Sequence, residues 1–447
     1  MQPDFDQPNL TAAMTHFRSW LTLAFALLLM SSVPASLHAA DSTATDSSAT
    51  VATDDPDPIR RTTDRIHRSV DPWDDRAHRQ VGAFAGDFTS PWPYRRERAL
   101  YPSTPAVRYN RVEGLVLGVQ RHPMRWSDDD DHRFYGQVGY AFALKRLRYA
   151  AGFEIRADQQ RDDRYGLKVG ALYRRNTATN DAWKTSWLEN SLAASLFKND
   201  FFDYHEVQGW TLYATHRFTK YAQLTTGFRT EDYSSLEQET TWSLFGGDGF
   251  ADNPAIDAGH YNAFVFALEG GHVTDFDEEP RGAAFRLEAE LGRGLGNPIG
   301  YNRYQADGRA YLPVTPFSTL GLRLRGGYAT ADAPLQKQFS IGGIGSVRSY
   351  SQNRFAGTRT LIGNAEYIVD DVALFDDAFD DLTLIGFVDA GWVGDANTRF
   401  AMDDVLPSAG FGIGFDDRTF RIDVSWPLRN LGGDMGPSVW LRISPSF

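Results

Sequence analysis

The chain has 447 residues, a formal net charge of -13 and no cysteine. The acidic balance argues against a nucleic-acid binder, whose footprint is a basic surface, and the missing thiols exclude cysteine metal sites, cysteine nucleophiles and disulfides. Its length suits two or three ordinary domains or one large all-β domain.

In chain order, the first element is an apolar run from Leu21 to Met30, followed by small residues with Ala39 or Ala40 at a cleavage point. It is too short to cross a bilayer as a helix and reads as a secretory signal over residues 1–40. Asp4 and Asp6 are out of place in such a leader, so translation is expected to start at Met14, giving MTHFRSW before the apolar core. Residues 41–106, rich in Asp, Ser, Thr, Arg and Pro, read as a weakly ordered periplasmic arm, with a short helix around Asp64 to Val70.

From residue 107 to 447 the texture changes to period two. In RLRYAAGFEIR, Leu147, Tyr149, Ala151, Phe153 and Ile155 share one face, and Arg146, Arg148, Glu154 and Arg156 the other. FRLEAELG (Phe285 to Gly292) and FRIDVSW (Phe420 to Trp426) repeat the pattern. Sixteen such segments begin near residues 111, 133, 147, 165, 188, 207, 221, 262, 283, 301, 318, 359, 382, 406, 419 and 438. Short links at Lys145-Arg146, Thr219-Lys220 and 416–418 alternate with long ones at 123–132, 232–260, 329–359 and 394–405. Long loops at one end and tight turns at the other suit an outer-membrane barrel. A closed sheet of that many strands is too wide for side chains to fill, so the apolar face must meet lipid and the charged face water. The expectation is an all-β, closed, antiparallel transmembrane barrel of about 16 strands over 107–447. Its last strand, SVWLRISPSF, ends on the aromatic Phe447, which resembles the C-terminal signal of bacterial outer-membrane proteins, with Pro445 weakening the ladder at its end.

Between the eleventh and twelfth segments lies FSIGGIGSVRSYSQNRFAG, Phe339 to Gly357. A phosphate loop would stand between a strand and a helix and finish on Lys and Ser or Thr. This one has strands on both sides and finishes on Ser346, Val347 and Arg348. Its Gly342, Gly343, Val347, Arg348 and Tyr350, with Ser349 in place of the usual glycine, resemble the sixth external loop of the bacterial surface-antigen superfamily. That superfamily includes the barrel-assembly factor BamA, the translocation-assembly factor TamA and the two-partner secretion transporters. YNRVEGLVLG (Tyr109 to Gly118) resembles its first barrel strand, and LIGNAEY (Leu361 to Tyr367) and GFVDAGW (Gly386 to Trp392) its twelfth and thirteenth, so the likeness covers about three quarters of the chain.

The resemblance implies a loop folded back into the barrel, with its arginine on a carboxylate. Alternation turns Glu366 and Asp389 toward the lumen, and these are the expected partners of Arg348. Ser349 is expected to strain the tip if the family's glycine is left-handed there. The 41–106 arm is shorter than one polypeptide-transport-associated (POTRA) domain, which implies a barrel-only member.

The resemblance further implies the cell outer membrane as location and outer-membrane lipids, lipopolysaccharide and a client polypeptide or lipid as partners. The work is then membrane biogenesis, or polypeptide or lipid translocation or insertion, through the seam between the first strand, near Arg111 to Arg121, and the last. The alternative is a passive channel or structural barrel. No cofactor or metal is assigned, since the histidines are scattered. No enzyme is expected either: the cluster Asp203, Tyr204, His205 and Glu206 shows no nucleophile with a base. The acidic run Ser127 to His132 reads as a solvated surface loop, and Trp242 to Phe250 as loop packing.

Overall fold

Period-two segments become strands because each can give its two faces to different surroundings. The computed structural model describes residues 103–121, 132–157, 166–219, 222–246, 249–273, 281–370, 382–415, 420–429 and 436–443. The signal segment, the arm up to residue 102, residues 127–131 of the acidic run, Pro445 and Phe447 lie outside them. The described residues fall within one unit, Ser69–Phe447.

The strands are β1 (Ser103–Asn110), β2 (Gly114–Arg121), β3 (His132–Ala141), β4 (Arg146–Arg156), β5 (Gly166–Thr179), β6 (Tyr204–Thr219), β7 (Ala222–Ser235), β8 (Gly259–Val273) and β9 (Gly282–Leu291). They continue as β10 (Asn302–Thr315), β11 (Ser318–Ala329), β12 (Phe339–Ile341), β13 (Phe355–Gly357), β14 (Arg359–Val369), β15 (Thr383–Gly394), β16 (Leu406–Phe415), β17 (Phe420–Pro427) and β18 (Ser438–Ile443). One helix, α1 (Trp187–Phe197), stands between β5 and β6. Sixteen strands form one sheet in sequence order, and β12 with β13 makes a small hairpin inside the connection from β11 to β14. Every pairing is antiparallel.

Burial is the reverse of a soluble sheet. On β4, Leu147 is 55% exposed while Arg148 is 1% exposed. On β17, Phe420, Ile422 and Trp426 are exposed and Arg421, Asp423 and Ser425 are buried. The same holds for Phe134, Leu324, Val388 and Val439 on the open face, against Glu154, Arg323, Asp389 and Arg442 on the covered one. The core therefore lies on the ionic face, where pairs such as Glu113 with Arg108, Arg174 with Glu231 and Lys337 with Glu290 replace most aliphatic packing.

Three sequence expectations are corrected. The segment near 188 is α1, not a strand. Ser186 caps its start by accepting the Glu189 N–H through its hydroxyl, and Lys198 ends it in the left-handed region. The first strand is Ser103–Asn110 and not the segment from Arg111. The Asn110 carboxamide oxygen accepts from the N–H groups of Val112 and Glu113, and Gly114 has a positive φ of 64°, so YNRVEG is a hairpin turn. One missed strand and one extra one leave the total at sixteen, but they reverse the ends of the early links. The tight turn at 142–145 lies at the end that carries the glycine loop, and the link holding the acidic run joins β2 to β3 at the opposite end.

Candidate functional site

The connection 330–358 carries the glycine motif, and its shape follows from backbone freedom at the glycines. Gly342, Gly343 and Gly345 all have positive φ, and a Cβ on Gly345 would stand 2.0 Å from the Lys184 carbonyl oxygen. The loop can therefore lie directly on the 180–186 segment ahead of α1. Ser349 is absent from the described positive-φ residues, which are Lys145, Lys198 and Asn353 outside glycine. The expected strain at Ser349 is thus not found, because the left-handed turns fall on the glycines and on Asn353.

At the tip, Val347 packs with Ile341, Tyr350, Ile362 and Leu406, and Arg348 enters a cluster on the ionic face. Its Nε and Nη2 donate to the two oxygens of Asp389 at 2.9 and 2.7 Å, a bidentate fork. Its Nη1 donates to Glu366 at 2.6 Å and to Asp423 at 3.2 Å. The guanidinium lies 3.4 Å from the centroid of the Phe387 ring. Arg421 shares the carboxylates, donating twice to Glu366 at 2.9 Å and through Nε to Asp423.

Sheet register assembles this group. Asn364 on β14 is opposite Asp389 on β15, which is opposite Ser408 on β16; both neighbours donate to Asp389, at 2.8 and 3.3 Å. On β16, Gly412 opposes Asp423, and a Cβ there would fall 2.3 Å from the Asp423 carboxylate. All five charged side chains are buried. Three carboxylates against two guanidinium groups can be held there only because each is paired and hydrogen-bonded.

The loop is also tied elsewhere. Asn353 donates to Asp181 at 2.9 Å and to Asp203 at 2.8 Å, and Gln352 donates to the Phe201 carbonyl at 3.0 Å. The Trp440 indole on β18 donates to the Arg348 carbonyl at 2.8 Å, and the Ser438 hydroxyl to the Ser349 carbonyl at 3.3 Å. At Asp181, outside the strands, burial pushes the carboxyl up, but Lys184 at 2.8 Å, the Asp203 N–H and the Asn353 amide outweigh it and hold it below the usual range.

The structure brings Arg348, Glu366 and Asp389 together with Asp423 and Arg421, which sequence reasoning placed on the charged face of β17 without linking them to the loop. The Asp203–Glu206 run is dispersed. His205 stacks on Tyr233, Glu206 binds Arg148, and Asp203 pairs with Arg111. Among the described residues no group of His, Cys, Asp and Glu is arranged to hold a metal.

A stretch of 154 residues is 31% identical to the outer membrane protein assembly factor BamA of Nitratidesulfovibrio vulgaris, covering 30% of this chain and 18% of that protein. The chain resembles BamA. Residues 89–268 also match the Family of unknown function (DUF5686) C-terminal domain, less than half of the chain. Solved structures similar to it include BamA from Haemophilus ducreyi lacking POTRA domains 1-3, with a TM-score of 0.47, 14% identity, and coverage of 77% of this chain and 70% of that one. CdiB from Acinetobacter baumannii gives 0.42, 14%, 77% and 60%, and CdiB from Escherichia coli 0.45, 12%, 77% and 63%.

Proposed function

We propose that the chain is an outer-membrane β-barrel of the surface-antigen type, with its glycine loop folded inside and a role in membrane biogenesis through insertion or translocation of polypeptide or lipid. The observation that carries this reading is the reversed burial of the sheet: large apolar side chains are open on one face, while ionic pairs are covered on the other. Only hydrocarbon on the apolar face makes that arrangement favourable. The location is the outer membrane, with its lipids and lipopolysaccharide around the apolar belt. The BamA likeness supports assembly work, with a client polypeptide as partner.

A passive channel is the competing reading, and the ionic face weighs against it. Trp183 lies under the guanidinium groups of Arg323 and Arg325, at 4.8 and 4.2 Å from ring centroid to each, and Arg348 of the loop pairs with Glu366, Asp389 and Asp423 of that face. Depletion in a native host, followed by quantifying other outer-membrane barrels, tests the assembly role: their loss is expected, and unchanged levels would refute it. Planar-bilayer recording separates the alternatives, since a large steady pore in the intact protein would favour the channel.

A further inference from the structure

The first and last strands of the sheet each have one ladder partner among the described residues: β1 pairs with β2, and β18 with β17. Each therefore presents an edge of N–H and C=O groups. Along such a strand, residues alternate between facing the ladder and facing away from it. Two of the outward N–H groups are taken, both by α1. Tyr109 on β1 donates to the Ser191 hydroxyl at 3.1 Å. Ile443 on β18 donates to the Glu189 carboxylate at 3.3 Å.

Glu189 and Ser191 are two residues apart on one helix, roughly 5–6 Å between Cα atoms, so a single helical turn reaches both edges. Side chains reinforce each contact. Arg442 of β18 donates to Glu189 at 2.9 Å, and both are buried. The Arg108 guanidinium of β1 stands 5.4 Å from the Trp187 ring centroid. Trp187 itself joins Val112, Phe201, Phe202, Tyr204, Leu236 and Ile344 in one apolar cluster, with Trp440 of β18 packed against it. Elsewhere α1 is tied to a loop, where Leu244 and Phe245 donate their N–H groups to the carbonyls of Ser195 and Leu196, and to β6, where the Asn190 amide donates to the Tyr204 hydroxyl at 2.8 Å.

We infer that α1 is a clasp on the outer edges of the first and last strands, as far as the described residues extend. It satisfies edge donors of the first and last strands at once, and either edge becomes available to another strand only when α1 withdraws. The helix belongs to a connection and not to the sheet, so it can leave without breaking a ladder. A carboxylate suits the β18 side because it accepts from the backbone and from a guanidinium together. The inference concerns the sheet edges alone and does not depend on what the protein assembles or moves.

Hydrogen exchange of the full mature chain, folded into phosphatidylcholine vesicles, tests it. Ser191→Ala should speed exchange of β1 around Tyr109 about fivefold, and Ser191→Thr should restore protection. Glu189→Gln should speed exchange of β18 about tenfold, as expected when a hydrogen bond to a charged acceptor is weakened. β7 and β8 serve as internal references and should not change. Faster exchange confined to 187–197, with β1 and β18 unaffected, would overturn the clasp. Should Glu189→Gln fail to fold, Ser191→Ala decides alone, and unchanged exchange at Tyr109 refutes the inference.

Discussion

Replacing Arg348 by alanine removes four side-chain hydrogen bonds and leaves Glu366, Asp389 and Asp423 facing Arg421 alone. Asp389 then keeps only neutral donors, the backbone N–H of residue 348, Asn364 and Ser408. Arg348 and Asp389 are 3% and 2% exposed, so the pair sits in the regime where losing one partner costs about 3–5 kcal/mol, and not in the solvated regime of about 1 kcal/mol or less. Guanidinium unfolding from vesicles measures the loss, and protease cleavage within 330–358 reports whether the loop has come away. Asp389→Ala removes the matching anion, so the double substitution leaves Arg421, Glu366 and Asp423, which still pair among themselves. Its cost should be no greater than that of either single change, which corresponds to strong coupling in a double-mutant cycle. Strictly additive losses, or a single loss under about 1 kcal/mol, would refute a sequestered cluster.

Gly345→Ala places a Cβ against the Lys184 carbonyl at a residue with φ of 69°, and should cost about 1 kcal/mol or more; loop proteolysis at unchanged sheet content reads it. Val388→Arg, on the open face of β15, should cost up to about 2–4 kcal/mol for folding into vesicles if it lies near the bilayer midplane; no cost would count against a lipid-facing surface. Trp440→Phe removes the indole donor to Arg348 and should lower stability by about 1 kcal/mol, visible as a shift in the unfolding midpoint. Asp181 is held below its ordinary carboxyl value, so its contribution is complete above pH ~4 and fades as pH falls further. Loop protection in Asp181→Asn should therefore trail the wild type at pH 6 and converge with it at low pH; a constant gap would contradict the sign.

The faces of the strands were legible because period two is a property of one segment. Arg148 and Leu147 need no partner strand to be assigned to opposite sides, and Glu366 with Asp389 followed by the same reasoning. Register is a property of two segments, which is why Asp423 and Arg421 were assigned a face but not a partner. Nothing within FRIDVSW tells that β16 sets its glycines beside them. The missed strand has a different cause. STPAVRYN carries a proline and little alternation, so its pairing with GLVLGVQR rests on the Asn110 turn and not on its own pattern. The signal that would have found it is the Asn three residues ahead of Glu113 and four ahead of Gly114. The helix had a sequence signal as well: SWLENSLAASLFK holds a serine cap, alanine and leucine formers and no alternation of charge.

The placement of α1 and of the glycine loop gives β18 two tethers of different kinds. Arg348 and Ser349 hold its start through carbonyl oxygens, while Glu189 holds its end through a charge. The first tether depends on the arginine cluster, since the loop backbone is positioned by the same residue whose guanidinium Asp389 grips. The second depends on the helix cap at Ser186. Arg348→Ala should therefore loosen Ser438 and Trp440 before it reaches Ile443, and Ser186→Ala the reverse. Exchange measured at the two ends of β18 distinguishes these orders, and an identical response of both ends to both substitutions would mean that the strand is held by its ladder with β17 alone.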